Sequence, residues 1–491
     1  MTFDVIIIGS GTAGQSAAMP LVEAGLSVAM VDERDFGGTC AMRGCQPKKF
    51  LVEQRDVLAA SRDLVSLGIS TPPASDWDAL MTAKQAFTGN VPGKTRHIME
   101  KAGITCFQAA ARFTGPSTLE LGPSEHPRAN QESRTAKKQS LNAKYIIAAT
   151  GADPRILPIP GIEHTIDSED FLNLATPPES MLTIGAGYIA LEFAQIMAAQ
   201  GCRVTMLDPL DTPLPQFDTD LAQALMAATR DQGIRILLGR AVTAVKKTAR
   251  GLEITDSQNQ THTAQTVLNA PGRIPRVQNL GLEAAGITPE NQGIPVNGFC
   301  QSPSNPDVYA LGDCAAPAPM LAPLADLQAR TAAAHIIYRE TGASAPEALD
   351  YQIIPTTVFT HPPLSSVGLT QHQAEQRFGS PASGHAPRPG AAQSPDGSGK
   401  PDPQEKDAIT VRQGSMARWV SNKRIGQTHG YYKTIVHTAT GRILGAHILG
   451  HASPDSINLI ALAMTADMPA QTLKNLPRAY PTFSDEIKYM F

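Results

Sequence analysis

Two stretches of the chain share one hydrophobic rhythm. In DVIIIGSGTAGQSAAMPLVEAGLSVAMVDE, residues 4–33, an apolar run at Val5–Ile8 meets a glycine turn, a helical pattern and a second apolar run at Val28–Val31. Continuous apolar runs of this length, bounded by turns, predict strands buried on both faces, and the order predicts a βαβ opening. MLTIGAGYIALEFAQIMAAQGCRVTMLD, residues 181–208, repeats that organisation about 175 residues later. Between them, residues 50–103 read as mostly helical, and short apolar pieces around Phe107–Phe113 and Ser117–Leu121 predict a meander. A polar insertion, GPSEHPRANQESRTAKKQ, precedes the strand YIIAATG. Farther on, VLNAPGRIP and DVYALGDCA each read as a strand ending in a glycine turn, Tyr431–Leu449 alternates like an antiparallel sheet, and the rest turns helical. Gly379–Lys406, rich in Pro, Gly and Ser, predicts an exposed, mobile insertion.

The fold class expected from this pattern is α/β, with two Rossmann-like nucleotide-binding domains and a C-terminal α+β domain. The expected boundaries are 1–151 and 273–350 for the two parts of the first domain, 152–272 for the second, and 351–491 for the third. A chain of 491 residues is long enough for several cores. With a net charge of −4 no global positive field favours nucleic acid or an anionic membrane, and Lys137-Lys138 reads as a solvated loop. The start, MTFDVIIIGSG, lacks the pattern of a secretory signal, and no apolar run reaches the ~18 residues of a membrane span. A cytoplasmic location is expected. Six cysteines in so long a chain argue for a reducing compartment and against a disulfide scaffold.

The glycines carry the first chemistry. Gly9, Gly11 and Gly14 form G-x-G-x-x-G between strand and helix, and Asp32 closes the second strand. The first glycine makes the tight turn, the second admits a pyrophosphate and the third packs helix on strand, while the acid accepts from ribose hydroxyls. In the second unit Gly185, Gly187 and Ala190 take these places, with Asp208 as the acid. An acid there repels a 2′-phosphate, and residues 207–214 contain no arginine, so NADH is favoured; a basic residue arriving from elsewhere would admit NADPH.

GGTCAMRGCQPKK, residues 37–49, places Cys40 five positions before Cys45. Zinc needs four ligands and the other cysteines are scattered singly, so no metal site is expected. A structural disulfide would close a very small loop. The remaining reading is a reactive pair. Five residues of regular helix rise about 7.5 Å, more than a disulfide spans, so Cys40 is expected in a distorted turn. Gly37, Gly38 and Pro47 suit a turn opening into a helix, whose N-terminus, with Arg43 and Lys49 if they point inward, would lower a thiol pKa.

With these motifs together the chain resembles the FAD-dependent pyridine-nucleotide disulfide reductases, the family of glutathione reductase, lipoamide dehydrogenase and mercuric reductase. The resemblance continues through ATG, GAGYIALEFA, GRIP, ALGDCA, PTTVFTHPPLSSVGLT and GRILGAHILG, sparing only the two polar insertions. It implies FAD, a homodimer and a small-molecule disulfide substrate. It makes Cys40 the interchange thiol and Cys45 the thiol at the flavin, with Lys49 by the flavin and paired to Glu192. Tyr188 becomes a gate for nicotinamide, and Asp313 binds the ribityl chain above Leu321 and Ala322. Thr39, Thr150, Gly151, Gly272, Arg273 and Gly312 join the expected cofactor contacts.

One departure stands out. Where glutathione reductase and lipoamide dehydrogenase carry a catalytic histidine before Pro-Thr, this chain reads RAYPTFSDEI: Tyr480 stands in its place, with Asp485 or Glu486 in that of its carboxylate partner. A tyrosine with pKa near 10 is a poor base at neutral pH. Either Tyr480 donates to the departing sulfur, or the leaving thiol is self-stabilised, as in a thione-forming disulfide of the ergothioneine type, or the acceptor is not a disulfide. The alternatives are therefore a mercuric-reductase-like or quinone (diaphorase) reductase, a lipoamide-dehydrogenase-like enzyme, and a non-catalytic flavin-binding protein. His437, His447 and His451 match no catalytic position and read as structural.

Overall fold

The computed structural model describes residues 1–379 and 408–491; all but the first residue of the insertion predicted at 379–406 lies outside them. The first unit contains β1 (Thr2–Ile8), α1 (Thr12–Glu23), β2 (Val28–Asp32), α2 (Gly38–Arg43) and α3 (Cys45–Asp63). After these come α4 (Trp77–Gly89), α5 (Val91–Lys101), β3 (Thr105–Gln108), β4 (Ala110–Gly115), β5 (Thr118–Gly122), α6 (Gln131–Arg134) and β6 (Gln139–Ala148). β3, β2, β1 and β6 run parallel in that order and Val308–Ala310 adds beyond β6; β5 and β4 extend the other end of β6 as an antiparallel meander. Both faces are covered: Val5 and Ile7 belong to one apolar cluster, Ile6 and Ile8 to the other. That is why β1 reads as an unbroken apolar run instead of an alternating one.

The second unit repeats the plan. After β7 (Ala152–Pro154) and α7 (Ser168–Phe171) come β8 (Ser180–Ile184), α8 (Tyr188–Ala199), β9 (Arg203–Leu207), α9 (Thr219–Asp231) and β10 (Arg235–Leu237). The parallel order is β10-β9-β8 with Thr266–Asn269 beyond β8, and an antiparallel meander at 242–264 precedes that last strand. The chain then returns to the first unit through Val308–Ala310 and the long helix α10 (Ala322–Thr341).

A five-stranded antiparallel sheet ends the fold, in the order 356–358, 364–368, 443–449, 431–437, 409–415, with the helix Ser453–Thr465 packed on it. His447 is buried in this sheet, its ring between Ser366 Oγ and the Leu369 carbonyl, and His437 meets Thr440 Oγ1 at 2.8 Å. Both make the structural contacts expected of them. Among the described residues no helix is long and apolar enough to cross a membrane.

Candidate active site

A cavity of about 1240 Å³ runs across the carboxyl ends of β1, β2 and β6. Gly9, Gly11, Asp32 and Thr39 line it from the first fingerprint; Thr150, Gly151, Arg273, Gly312 and Asp313 line it from the returning strands. Tyr188 enters from the second unit, and Cys40 and Cys45 also line it. Met320 and Ala322 line it at the start of α10, where Leu321 is the N-cap. Gly14 lies behind the wall: a Cβ there would fall 2.0 Å from the Gly9 carbonyl oxygen, the close helix–strand contact its place in the fingerprint demands.

Asp32 is held by its own loop. Its Oδ2 accepts from Ser10 N at 2.8 Å and Ser10 Oγ at 2.6 Å, and its Oδ1 accepts from Arg34 N at 2.9 Å. In the second unit Asp208 Oδ2 accepts from Ala186 N at 2.7 Å. Both acids thus sit beside the turn on which a dinucleotide rests. Among the described residues, the buried Nε atoms of Arg34 and Arg43 have no hydrogen-bond acceptor, and both side chains line the cavity. Glycine turns at a helix N-terminus, an acid for ribose and unpaired guanidinium nitrogens for phosphate suit the dinucleotide FAD.

Cys40 lies inside the short helix α2 and Cys45 at the first position of α3. The distortion expected at Cys40 is instead at Gly44, whose φ of −143° and ψ of −114° break the helical path just before the second cysteine. A break anywhere between the two suffices to fold one thiol toward the other, and glycine adopts it most readily. Both are free thiols, within hydrogen-bonding contact. The contact splits their acidities. Donation from Cys40, aided by Lys48 and Lys49 against burial, brings Cys45 down to about 6; the same contact, with burial, pushes Cys40 up. Arg43 is not among the main causes of this split; its charged neighbours are Arg34, Glu169, Asp32 and Asp35.

The pairing of Lys49 with Glu192 is corrected. Glu192, 1% exposed, forms its ion pair with Lys48, and its Oε1 also accepts from Phe359 N at 3.0 Å. Lys49 turns the other way, its Nζ over the Phe359 ring with no acceptor among the described residues, and burial, which outweighs the pull of Glu192, lowers it to about 7. Lys48 and Lys49 are three and four residues after Cys45, both on the helix face near it, so spacing alone does not separate them. Helix rotation does: Lys48 makes the ion pair with Glu192 of α8, and despite its burial Glu192 holds its pKa above the ordinary lysine value. One turn up α8 from Glu192, the Tyr188 ring centroid lies 5.8 Å from Lys48 Nζ.

Tyr480 is far more open, 78% exposed. Neither expected carboxylate engages it: Asp485 Oδ2 binds Lys488 Nζ at 2.7 Å, and Glu486 accepts from Ser421. Gly272 does not line the cavity, although its neighbour Arg273 does. Sequence reasoning missed Lys48, Met320 and Arg276. The doubled lysine and the arginine directly after GRIP were visible signals, but which side chain turns inward was not.

Residues 3–329 match the family model described as pyridine nucleotide-disulphide oxidoreductase, and residues 354–491 match the dimerisation domain of the same family. A dihydrolipoyl dehydrogenase of Bacillus subtilis is 28% identical over 99% of this chain and 96% of its own length. A glutathione reductase of Nostoc sp. is 28% identical over the full length of both chains. Among solved structures, the Cu(II) complex of the HOCl-induced flavoprotein disulfide reductase RclA from Escherichia coli superposes with a TM-score of 0.81 at 26% identity, covering 100% of this chain and 99% of that one. A cavity lined by both the glycine fingerprint and the cysteine pair, with family matches across both halves of the chain, places this protein among the pyridine nucleotide-disulphide oxidoreductases, FAD-dependent enzymes that take electrons from NAD(P)H.

Proposed function

We propose that this enzyme uses NADH in preference to NADPH to reduce a low-molecular-mass disulfide through Cys40 and Cys45, as a cytoplasmic homodimer. The observation that carries the reading is the placing of Cys40 and Cys45 together on the wall of the cavity, beside the Lys48–Glu192 pair. Residues 1–151 and 273–350 form the FAD-binding domain, 152–272 the NADH domain and 351–491 the dimer interface. FAD supplies two-electron transfer between the nicotinamide and the adjacent cysteine pair. Tyr188 covers the nicotinamide side, and Lys48, fixed by Glu192, holds positive charge beside Cys45.

The thiol chemistry balances without a histidine. The reduced pair carries one proton, on Cys40. As Cys40 Sγ attacks the substrate disulfide, that proton passes to Cys45, and a mixed disulfide forms while one substrate thiolate leaves. The thiolate takes the proton from Cys45, whose sulfur then attacks Cys40, closing the Cys40–Cys45 disulfide and expelling the second thiolate. Only that second thiolate needs an outside proton. Tyr480 of the second subunit donates it, or a self-stabilised leaving group of the thione type does without it.

A second reading has its own support. RclA is described in complex with Cu(II), and a tyrosine in place of an imidazole suits an acceptor that needs no proton. The test is anaerobic reduction by NADH followed by a panel of glutathione, lipoamide-type and thione-derived disulfides, quinones, mercuric ion and cupric ion. Rapid reoxidation by one disulfide, abolished by Cys40→Ser while quinone reduction persists, supports the main reading. Reoxidation by metal ions or quinones alone replaces it with the second. Tyr480→Phe then separates the two proton sources, since an unchanged rate with the true substrate identifies a self-stabilised leaving group.

A further inference from the structure

The polar segment between β5 and β6 is an ordered strap lying against one end of the cavity. Ser124 Oγ donates to Glu33 Oε2 at 2.7 Å and Asn130 Nδ2 donates to Asp35 Oδ1 at 2.7 Å, so the strap is fastened on either side of the loop that carries Asp32. Arg128, at its middle, reaches across to the second unit: Nη1 lies 3.0 Å from Asp167 Oδ2 and 2.8 Å from Glu169 Oε2, and Nη2 lies 2.7 Å from Asp170 Oδ1. Glu169 also takes Arg34 Nη2 at 2.6 Å. Loop, strap and α7 therefore close a ring of charged contacts around the end of the cavity marked by Asp32, which is the adenosine end by the fingerprint logic.

Inside that ring Glu125, His126 and Pro127 line the cavity. The Arg128 backbone N–H donates to His126 Nδ1 at 3.1 Å, so a neutral ring carries its proton on Nε2 and presents a donor there. Burial, with Arg276 and Arg34 nearby, lowers this histidine to about 4 and keeps it neutral.

We propose that residues 123–138 are a clasp that retains FAD, with His126 positioning the adenosine end and Arg128 locking the clasp to α7. The inference rests on the family's FAD occupying this cavity, which the flavin content of the purified protein tests separately. Nothing in hydride or disulfide chemistry uses these residues; the clasp sets how slowly the cofactor leaves. Because the lock is a set of partly exposed ion pairs, salt weakens it, the screening length falling from about 10 Å at 0.1 M to about 3 Å at 1 M ionic strength.

The test is the rate of FAD release from holoenzyme, followed by the rise of flavin fluorescence on dilution. Arg128→Gln is expected to release FAD about tenfold faster, the scale of losing one well-formed ionic lock. Arg128→Lys, which keeps the charge and loses the fork, should fall between. Release from the native enzyme should accelerate with salt more steeply than release from Arg128→Gln. His126→Ala should also accelerate release. If Arg128→Gln does not fold, Arg128→Lys and His126→Ala decide. A release rate unchanged within about twofold in salt and in the folded variants overturns the clasp, since a merely structural ion-pair cluster would alter thermal unfolding without altering cofactor release.

Discussion

In the first βαβ unit a Cβ on Gly11 would meet Gly38 Cα of α2 at 3.7 Å, whereas in the second unit a Cβ on the equivalent Gly187 would meet nothing within 4 Å. The two turns follow one plan and differ in what lies over them. The first is roofed by α2, flanked by the strap and lined by the cysteine pair; the turn of the second is open. Asp32 accepts three hydrogen bonds from its loop, and Asp208 accepts from Ala186 N and Leu210 N. The difference matches what each site does. FAD stays through every turnover and gains from enclosure, while NAD(P)H must enter and leave in each cycle and needs an open turn with enough contacts to choose its ribose.

The strongest way to break this comparison is to add the same methyl group to each unit. Gly38→Ala meets backbone at 2.3 Å with φ at +73°, so the protein should purify without FAD. Gly187→Ala should keep its FAD and lose only nicotinamide binding, seen as a raised KM for NADH. Equal FAD content in both variants would contradict the contrast.

At the junction of the two units the adjacent lysines give the next largest effect. Lys48→Met leaves Glu192, 1% exposed, without its cation, and should slow enzyme reduction by NADH by about a hundredfold in stopped flow, the scale of losing one preorganised charge. Lys49→Met removes an amine with no acceptor among the described residues and should cost less than about threefold. The reverse ranking would return Lys49 to the role expected of it.

The acids sharpen the comparison further. Asp208→Ala should lower the preference for NADH over NADPH, read as the ratio of kcat/KM values, by about tenfold through loss of a ribose acceptor and of a repelling charge. Asp32→Ala should leave that ratio alone and weaken FAD retention instead. An enzyme already faster with NADPH would contradict the specificity reading at once.

A smaller effect follows from pH. Cys45 is held near 6 by donation from Cys40 and by the two lysines, against about 8.5 for an ordinary thiol. Because the folded value is depressed, the stabilisation it gives the dithiol enzyme is fully present above the ordinary value and is lost as pH falls through about 6. Thiolate absorbance of the reduced enzyme, minus that of Cys45→Ser, should titrate with a midpoint near 6. A midpoint at the ordinary value would mean that the pair does not share its proton as described.

Much of this was legible in the sequence because it is local. Apolar runs of β-length, glycine turns and acids at strand ends gave both βαβ units in place, and the meander and the C-terminal antiparallel sheet followed from alternation. The Cys40–Cys45 pair and most of the residues expected around FAD do converge on one cavity. The failures are rotational or tertiary. Lys48 and Lys49 are equivalent by spacing and differ in which one pairs with Glu192 of α8. Arg43 sits between the cysteines in sequence and has Arg34, Glu169, Asp32 and Asp35 as its charged neighbours in space. The strap had no apolar pattern to announce it, because it is ordered by hydrogen bonds to residues 91 and 95 positions earlier and by ion pairs to residues 39 to 42 positions later.

The measurement that tests the central claim most directly is an anaerobic count of NADH consumed and thiols formed per FAD. A flavin and a disulfide acting in series accept two hydride equivalents, so the native enzyme should consume two NADH per FAD and gain two titratable thiols, while Cys40→Ser should consume one and gain none. Native enzyme that stops at one NADH with no new thiols would contradict the account, for the cysteine pair would then lie off the path of the electrons.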